Sequence, residues 1–531
     1  MATRAIATDI HAALSFGCEA WHEDTSWPVG EQQFRSLNSA LDRGFDEAHN
    51  ALDDTWRDLL LADFRYVTFL KQYLHAQAVQ SSAAQSGLTV MVGRESAQFY
   101  EVRWQEIGAR NEDRLRKRHS LPLLRMLRRR LIYGAHELSF RALGDVLRQR
   151  DSWSLGAWDA GKRKYIRDNS LACDFPFVEN LVHLPPTRQS DGLQAVRDVL
   201  ADWLAKIDAD CRETGSTGLA VEALLTSWLD RLNDLRALYE AVRQRRNLPE
   251  TVLVGSVGDP LYRTVALAAR RQGAKVVGFQ HGHNMGYTYE WARSYIDVSI
   301  SDEYVCATPK AVESLGALAR VVPFTRDVRT KFVSNSVSIY ETLWNQHGGR
   351  RWPQEIRSVI IVGFPMNAMR YAYGTGLFWN FKLDLELRII RTLRASGIKV
   401  LYRPHPATEH LMSKVMASEA DEILLQPFEA VYQQADALLL TYPLTTTFGF
   451  ALCSEKPIIL IDMEGEAWYQ DIYRLIKKRC ALVTAKFDER NRVSFKAQDL
   501  LAAMEEALDR RDYEYVFTYL FPAPHEVSAP E

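Results

Sequence analysis

The sequence predicts an α/β fold in which two Rossmann-like units face a cleft and a large helical region forms the N-terminal part. Three observations predict it. Short apolar runs alternate with amphipathic stretches in two separate regions, which begin near residues 251 and 358. Such alternation is typical of a parallel sheet covered by helices on both faces. A segment with Gly348, Gly349 and Pro353 separates the two regions, and 531 residues exceed what one ordinary core uses.

We therefore predict two domains. Residues 1–350 form a Rossmann-like domain with helical additions at about 1–85 and 190–248, and residues 351–531 form a second Rossmann-like domain. Apolar residues recur at three- and four-residue spacing in the two additions, which favours amphipathic helices. The stretch GLTVMVGRES, from Gly87, predicts a strand followed by a helix.

The first alternating region begins at TVLVGSVGDP, which predicts a strand that ends in a Gly/Pro turn. LYRTVALAARRQGA predicts a helix, KVVGFQHG a strand, SYIDVSI and EYVCAT two more strands, and TPKAVESLGAL a helix opened by Thr308 and Pro309. VRTKFVSNSVSIYETLWNQH predicts a helix that leads into the linker.

The second alternating region has a clear predicted order from its apolar runs and their Gly and Pro boundaries. The elements are strand 358–363, helix 378–396, strand 398–402, helix 408–417, strand 422–425, helix 427–434, strand 436–441, helix 446–453, strand 456–461, and closing helices 465–477 and 497–509.

Composition narrows the class of protein. The net charge of −2 provides no global field that would attract nucleic acid, and no nucleic-acid-binding motif is present. The six cysteines are scattered without CxxC or zinc spacing, which is typical of reduced thiols in a cytoplasmic protein. Asp9 and His11 interrupt the N-terminus where a signal peptide needs an apolar run. No apolar run approaches the ~20 residues that span a bilayer. We expect a cytoplasmic protein.

The loop QHGHNMG, Gln280–Gly286, follows a predicted strand, at the edge where open α/β sheets place their chemistry. An imidazole there, His281 above all, can act as a general base near neutral pH. Gln280, Gly282, His283 and Asn284 are candidate acceptor-side or loop residues. The structural alternative is a loop whose polar side chains only bond to one another. Two imidazoles, an amide and two glycines at one strand end favour the functional interpretation.

The stretch LYRPHP, Leu401–Pro406, also follows an apolar strand. Arg403 and His405 are two residues apart, so both side chains point the same way where the strand geometry persists. Pro404 and Pro406 stiffen the segment. A cation and an imidazole held at a strand end suit phosphate oxygens. The alternative is a proline-rich strand exit with a solvated arginine.

Three threonines, Thr445, Thr446 and Thr447, open a short helix after the strand that ends at Thr441. Hydroxyls and free N–H groups at a helix N-terminus form an anion-binding site. A helix cap alone needs one threonine, so three favour a phosphate-binding role.

Weaker candidates lie at other strand ends. GSVGDP, Gly255–Pro260, is a candidate acceptor-side loop that matches neither common phosphate-loop motif. Gly363, Glu464 and Glu466 are candidate ribose or base contacts, against the alternative that the two glutamates begin a solvated helix. We find no motif with metal-ligand spacing and expect neither a metal nor a cofactor.

A basic stretch, Arg114–Arg130, interleaves leucine with arginine and carries no acidic residue. It is a candidate peripheral contact with the inner membrane that would hold an anionic lipid-linked acceptor. A solvated helix face is the alternative.

The three motifs, in this order, resemble those of bacterial GT-B-type glycosyltransferases of surface-carbohydrate assembly. The nearest pattern is that of surface-carbohydrate transferases with a His-Gly loop, and CDP-glycerol glycerophosphotransferases and CMP-sialic acid or Kdo transferases are similar at greater distance. The resemblance covers about residues 250–480. It implies that Arg403, His405 and Thr445–Thr447 bind the nucleotide phosphate and that His281 lies near the acceptor hydroxyl. The sialic acid and Kdo transferases carry a carboxylate before the glycine, where this chain has His281.

The resemblance implies a GT-B-like glycosyltransferase of surface polysaccharide assembly. The expected reaction transfers a sugar from a nucleotide-sugar donor, a CMP-activated acid sugar such as Kdo or a nonulosonic acid, to a glycan or lipid-linked glycan with inversion and without a metal. One alternative is an alditol-phosphate transferase that uses a CDP-linked donor, and another is a nucleotide-sugar epimerase. A non-catalytic assembly protein of the same pathway is the alternative from a different class.

Overall fold

The computed structural model describes residues 5–17, 26–100, 151–156, 160–176, 178, 181, 192–213, 218–255, 258–280, 287–288, 298–321, 329–335, 337–347, 352–366, 379–464 and 468–521. The N-terminal part begins with a short parallel pair of strands and a layer of helices. Its elements are β1 (Ala5–Ala7), α1 (Ile10–Phe16), α2 (Glu31–Ala51), α3 (Asp54–Ala62), α4 (Phe64–Gln85), β2 (Thr89–Met91) and α5 (Ala97–Tyr100). β1 pairs with β2.

The first sheet has six parallel strands in the order β4-β3-β5-β6-β7-β8. They are β3 (Ser152–Leu155), β4 (Cys173–Asp174), β5 (Thr251–Val254), β6 (Lys275–Phe279), β7 (Glu303–Cys306) and β8 (Lys331–Ser334). The helices of this part are α6 (Ala160–Asp168), α7 (Leu193–Glu213), α8 (Val221–Arg243), α9 (Pro260–Arg271), α10 (Pro309–Val321) and α11 (Ile339–His347). The order of the sheet reverses between β3 and β5, which is its topological switch point.

The second sheet has seven strands in the order β11-β10-β9-β12-β13-β14-β15, of which only β15 runs antiparallel. They are β9 (Ser358–Val362), β10 (Lys399–Arg403), β11 (Glu422–Ile423), β12 (Ala437–Leu440), β13 (Ile458–Met463), β14 (Ala481–Phe487) and β15 (Val493–Ser494). The helices are α12 (Trp379–Ala395), α13 (Glu409–Met416), α14 (Phe428–Val431), α15 (Thr446–Cys453), α16 (Gln470–Arg479) and α17 (Ala497–Ala507). Numbered from β9, the first six strands follow the 3-2-1-4-5-6 order of dinucleotide-binding folds, so the switch point lies between β9 and β12.

These two parallel sheets confirm the predicted GT-B-like α/β fold. The central strands β9, β12 and β13 are almost continuously buried, as strands covered on both faces must be. The chain passes from the first sheet to the second between α11 and β9. The division into domains at residue 350 stays a prediction.

The N-terminal helical layer touches elements of both sheets. α3 packs on α8 and α9 of the first sheet, whereas Trp27 lies edge to face with Phe381 on α12, beside the second sheet. The Trp379 indole, also on α12, donates to the Thr8 carbonyl over 2.9 Å. One apolar cluster therefore runs from the helical layer into both sheets.

Three sequence predictions were wrong or incomplete. Val298–Ile300, the described end of SYIDVSI, forms no strand, because β6 pairs directly with β7. Lys331–Ser334 was predicted as helix but forms β8. The prediction failed because KFVS is too short for its periodicity to distinguish a strand from a helix. Five strands, β1, β3, β4, β14 and β15, were not predicted at all.

No helix in the described part of the chain is long and apolar enough to cross a membrane.

Candidate functional site

The carboxyl edge of the second sheet brings two of the predicted motifs to neighbouring strands. Arg403, the last residue of β10, is in register with Val362, the last residue of β9. Leu440, the last residue of β12, is level with the same valine on its other side. Neighbouring strands lie about 4.8 Å apart, so the β10 and β12 ends are roughly 10 Å from each other. The segments that carry His405 and Thr445 thus leave the sheet on either side of β9, next to the switch point.

Arg403 is a buried cation at this edge. Its Nη1 donates to the Pro404 carbonyl and lies 3.3 Å from Glu409 Oε2, at the start of α13. Its Nε makes no hydrogen bond to any described residue, although the atom is buried. A buried N–H without an acceptor is costly, which makes Arg403 Nε a candidate donor to a bound ligand.

His405 caps the short 3₁₀ turn Pro406–Thr408. Its Nδ1 accepts a hydrogen bond of 3.1 Å from the Ala407 N–H. When the ring is neutral, its proton must then be on Nε2, which makes Nε2 a donor. The cap thus fixes both the orientation and the tautomer of the ring, and the second nitrogen suits an anion.

The three threonines begin α15, as predicted, but they play different structural roles. Thr445 is the N-cap, and its hydroxyl accepts from the Thr447 N–H over 3.3 Å. Thr446 is exposed, and its carbonyl accepts from the Tyr340 hydroxyl over 2.9 Å. Amide groups and hydroxyls converge at a helix N-terminus, where the partial positive charge of the helix favours an anion.

Replacement of Thr445 by alanine is expected to lower the free energy of unfolding by about 1 kcal/mol, because the Thr447 N–H loses its cap. Urea denaturation followed by circular dichroism measures this change. Thr445→Ser keeps the hydroxyl and should stay within about 0.5 kcal/mol of the wild type, as should Thr446→Ala at the exposed position. Equal losses in all three variants would show that the cap contributes nothing specific.

Gly363 and Glu464 lie at strand ends of the second sheet. A Cβ at Gly363 would lie only 2.4 Å from the Tyr402 hydroxyl, so packing against Tyr402 alone requires a glycine there. Glu464 follows β13, is exposed, and donates its N–H to the Ala485 carbonyl over 2.7 Å. Their roles as ribose or base contacts stay predictions.

Gln280 follows β6 in the first sheet, as predicted. Its side-chain Oε1 accepts from the Ala307 N–H over 3.0 Å, and its main-chain N–H donates to the Val305 carbonyl. Tyr287 is fully buried beside the second sheet, where its ring lies edge to face with that of Phe448 on α15. Its carbonyl accepts from the Tyr469 N–H over 2.8 Å. Gln280 therefore lies at the edge of the first sheet, and Tyr287 lies in the neighbourhood of α15.

Several predicted residues lie outside the described residues. These are His281, Gly282, His283, Asn284, Glu466 and the basic stretch Arg114–Arg130.

A buried polar cluster lies under this edge and was not predicted from the sequence. Glu386 and Lys382 of α12 are fully buried, together with Tyr402 and Thr441. Charged residues four apart on a helix usually indicate a solvated face. The available signal was the composition of FKLDLELRII, which is apolar on more than one side of the helix and so typical of a helix with no fully solvated face.

No protein-family model matches the chain, and no curated protein matches it. The structure of Os79 from O. sativa in complex with UDP is similar with a TM-score of 0.35 and 13% sequence identity. The match covers 68% of this chain and 91% of that chain. Similarity at this level identifies neither a ligand nor an activity for this chain.

Proposed function

We propose that the protein is a glycosyltransferase that binds a nucleotide-sugar donor at the carboxyl edge of the second sheet. The donor is a CMP-activated acid sugar, such as Kdo or a nonulosonic acid, and the acceptor is a glycan or lipid-linked glycan of a bacterial surface polysaccharide. The residue motifs that resemble surface-carbohydrate transferases support this choice of donor and acceptor.

The observation that carries the proposal is the set of hydrogen-bond donors beside the switch point. Arg403 has a buried Nε–H without a described partner. His405 accepts from the Ala407 N–H at Nδ1, so its neutral ring donates from Nε2. Thr445 caps α15, whose first two residues are Thr446 and Thr447. Donors from two separate segments, the end of β10 and the start of α15, suit the oxygens of a phosphate at this edge. Glu409 already lies beside Arg403, so a phosphate would share this guanidinium with a carboxylate.

In the proposed reaction an acceptor hydroxyl oxygen attacks the anomeric carbon of the donor sugar. The new C–O bond forms as the bond from that carbon to the phosphate oxygen of CMP breaks, and His281 takes the hydroxyl proton. Attack from the face opposite the leaving group inverts the anomeric centre. Arg403, His405 and the start of α15 stabilise the negative charge that grows on CMP. In this proposal those groups supply the charge neutralisation that other transferases obtain from a metal.

A second candidate function is alditol-phosphate transfer from a CDP-linked donor, which would use the same phosphate-binding edge. In that reaction the acceptor attacks phosphorus, and the phosphate stays with the product. Both reactions release CMP, but only alditol-phosphate transfer leaves a phosphate in the product. Phosphate analysis of the product formed from each donor therefore separates the two functions.

Thermal unfolding with CMP, CDP, UDP, GDP and ADP tests the proposed site. A ligand at one hundred times its dissociation constant adds about 2.7 kcal/mol of apparent stability, which is a measurable rise in melting temperature. We expect CMP or CDP to stabilise the wild type and His405→Ala to lose the response.

His405→Asn is the matched control, because asparagine is a good helix cap and can accept from the Ala407 N–H. The variant should keep the melting temperature of the unliganded protein and still lose the nucleotide response, since the imidazole Nε2 is gone. A preference for UDP or GDP would overturn the choice of donor. The absence of any nucleotide response in the wild type would overturn the site and favour a non-catalytic assembly protein.

A further inference from the structure

The buried polar cluster joins three neighbouring strands of the second sheet, β10, β9 and β12. Glu386 Oε1 accepts from the Phe364 N–H over 2.8 Å and from the Thr441 hydroxyl over 3.1 Å. Its Oε2 accepts from the Tyr402 hydroxyl over 2.7 Å. Lys382 Nζ donates to the Thr441 carbonyl over 2.5 Å. Phe364 follows β9, Tyr402 belongs to β10 and Thr441 follows β12, so two side chains of α12 hold three strand ends.

Each partner in the cluster directly adjoins a part of the proposed phosphate-binding edge. Tyr402 precedes Arg403 in the chain, and its hydroxyl occupies the space beside Gly363. Thr441 is held through both its hydroxyl and its carbonyl, and only three residues separate it from the N-cap Thr445. A shift of the cluster would therefore move the segments after β9, β10 and β12 relative to one another.

A purely structural purpose explains the cluster poorly. Burial of a carboxylate and an ammonium group costs free energy, and well-packed apolar residues of similar volume are often at least as stable. The rest of the core between these strands is apolar, with Val359, Ile361 and Leu439 fully buried. The polar groups instead constrain the relative positions of the segments, because a hydrogen bond fixes the angle and distance between the groups that it joins.

We propose that Glu386 and Lys382 are positioning residues that hold the segments after β9, β10 and β12 in the arrangement that binds a donor phosphate. The inference rests on the proposed function for the identity of the ligand. The positioning itself is a property of the protein without ligand and can be tested separately.

The charge state of Glu386 controls how firmly it holds the segments after β9, β10 and β12. When ionised, the carboxylate accepts from three donors, and the Lys382 ammonium group on the same helix offsets its charge. Burial raises the pKa of Glu386 to about 7, although the hydrogen bonds from Tyr402, Phe364 and Thr441 and the charge of Lys382 lower it. Burial also raises the pKa of Tyr402 well above its ordinary value, so this group stays a neutral donor. The fully hydrogen-bonded form of the cluster thus prevails above neutral pH.

Hydrogen–deuterium exchange of the unliganded protein tests the positioning without any nucleotide. In Glu386→Ala we expect faster exchange in peptides that cover 358–366, 399–408 and 437–448 together. Glu419→Ala is the matched control. Glu419 is also a buried carboxylate, and it pairs over 2.7 Å with Arg391, which lies on α12 like Glu386. Its effect should be confined to the chain near residues 388–395 and 417–423. A change confined to α12, or equal changes in both variants, would overturn the proposal.

Calorimetric titration of CMP into the wild type and Glu386→Gln tests the link to binding. Glutamine keeps the shape and mimics the neutral acid at every pH, so the two proteins should bind CMP alike at about pH 5.5. Near pH 8 the variant should bind about tenfold more weakly, the scale on which supporting residues around a site commonly act. The ratio of the two affinities at each pH removes the effects of pH that the wild type and the variant share. The same ratio at both pH values would overturn the role of the ionised carboxylate.

The two experiments separate the inference from the proposed function. If the wild type binds no CMP but Glu386→Ala still loosens all three segments, the positioning cluster stands and the choice of ligand falls. If CMP binds equally well to the wild type and to the Glu386 variants, and exchange does not change, the positioning role is wrong while the proposed site is untouched.

Discussion

Replacement of Asp63 by alanine is expected to lower the free energy of unfolding by about 3–5 kcal/mol, because it leaves a buried arginine without its counter-charge. The Arg231 side chain is 7% exposed and that of Asp63 is 0% exposed. Arg231 Nε donates to Asp63 Oδ2 over 2.9 Å, and Nη2 donates to the other carboxylate oxygen. The guanidinium also lies over the Tyr66 ring, at 5.4 Å. Urea denaturation measures the loss.

The pair joins the α3–α4 junction to α8, so the prediction also tests whether the N-terminal helical layer folds with the first sheet. Asp54→Ala is the matched control, since Asp54 pairs with Arg271 at 2.8 Å but its side chain is 68% exposed. Exposed pairs contribute about 0–1 kcal/mol. Addition of Arg231→Met to Asp63→Ala should recover part of the loss, because no charge is then buried. Equal and small losses in Asp63→Ala and Asp54→Ala would contradict the buried pair.

Glu386→Gln is expected to change how stability depends on pH. The folded protein holds the pKa of Glu386 at about 7, against 4.5 as the ordinary value. The folded state therefore keeps a proton that the unfolded state releases, and the wild type loses stability as pH rises through this window. Glutamine has no such proton. Between about pH 5 and pH 8 the variant should gain roughly 2–3 kcal/mol relative to the wild type, at about 1.4 kcal/mol for each pH unit.

Denaturant unfolding at several pH values measures this difference. Glu419→Gln is a suitable control, because it makes the same exchange of carboxylate for amide at a pair with Arg391. A pH-independent difference for Glu386→Gln would mean that the buried carboxyl titrates normally. Greater stability with weaker nucleotide binding near pH 8 is the combination expected of a group that is retained for function and not for stability.

The sequence predicted the centre of the second sheet better than its edges or the first sheet. β9, β12 and β13 are apolar runs, since parallel strands covered on both faces bury every side chain. β14 was missed because ALVTAKF is not a continuous apolar run and follows directly on a helix, although its burial alternates as in a half-buried strand. β3, with the sequence SWSL, carries two serines. The two-residue strand β4 gives no periodicity at all.

For the candidate site, too, the sequence predicted some residues and not others. Arg403, His405 and Thr445 could be placed, because polar residues directly after an apolar strand indicate the carboxyl edge of a parallel sheet. Their partners could not be placed. Glu409 lies beside Arg403 and the Ala407 N–H bonds to His405, and such contacts depend on the path of the chain after Pro404. The cluster around Glu386 was hidden for a different reason. Its members come from a helix, a strand and a loop, and only the fold brings them together.

We propose that the carboxyl edge of the second sheet binds the phosphate of the donor nucleotide, and a crystal structure of the protein with CMP would locate that phosphate. We expect phosphate oxygens within hydrogen-bond distance of His405 Nε2 and of the hydroxyls or N–H groups of Thr445–Thr447, with Arg403 Nε among the donors. A nucleotide bound away from this edge, or a phosphate that contacts none of these groups, would contradict it.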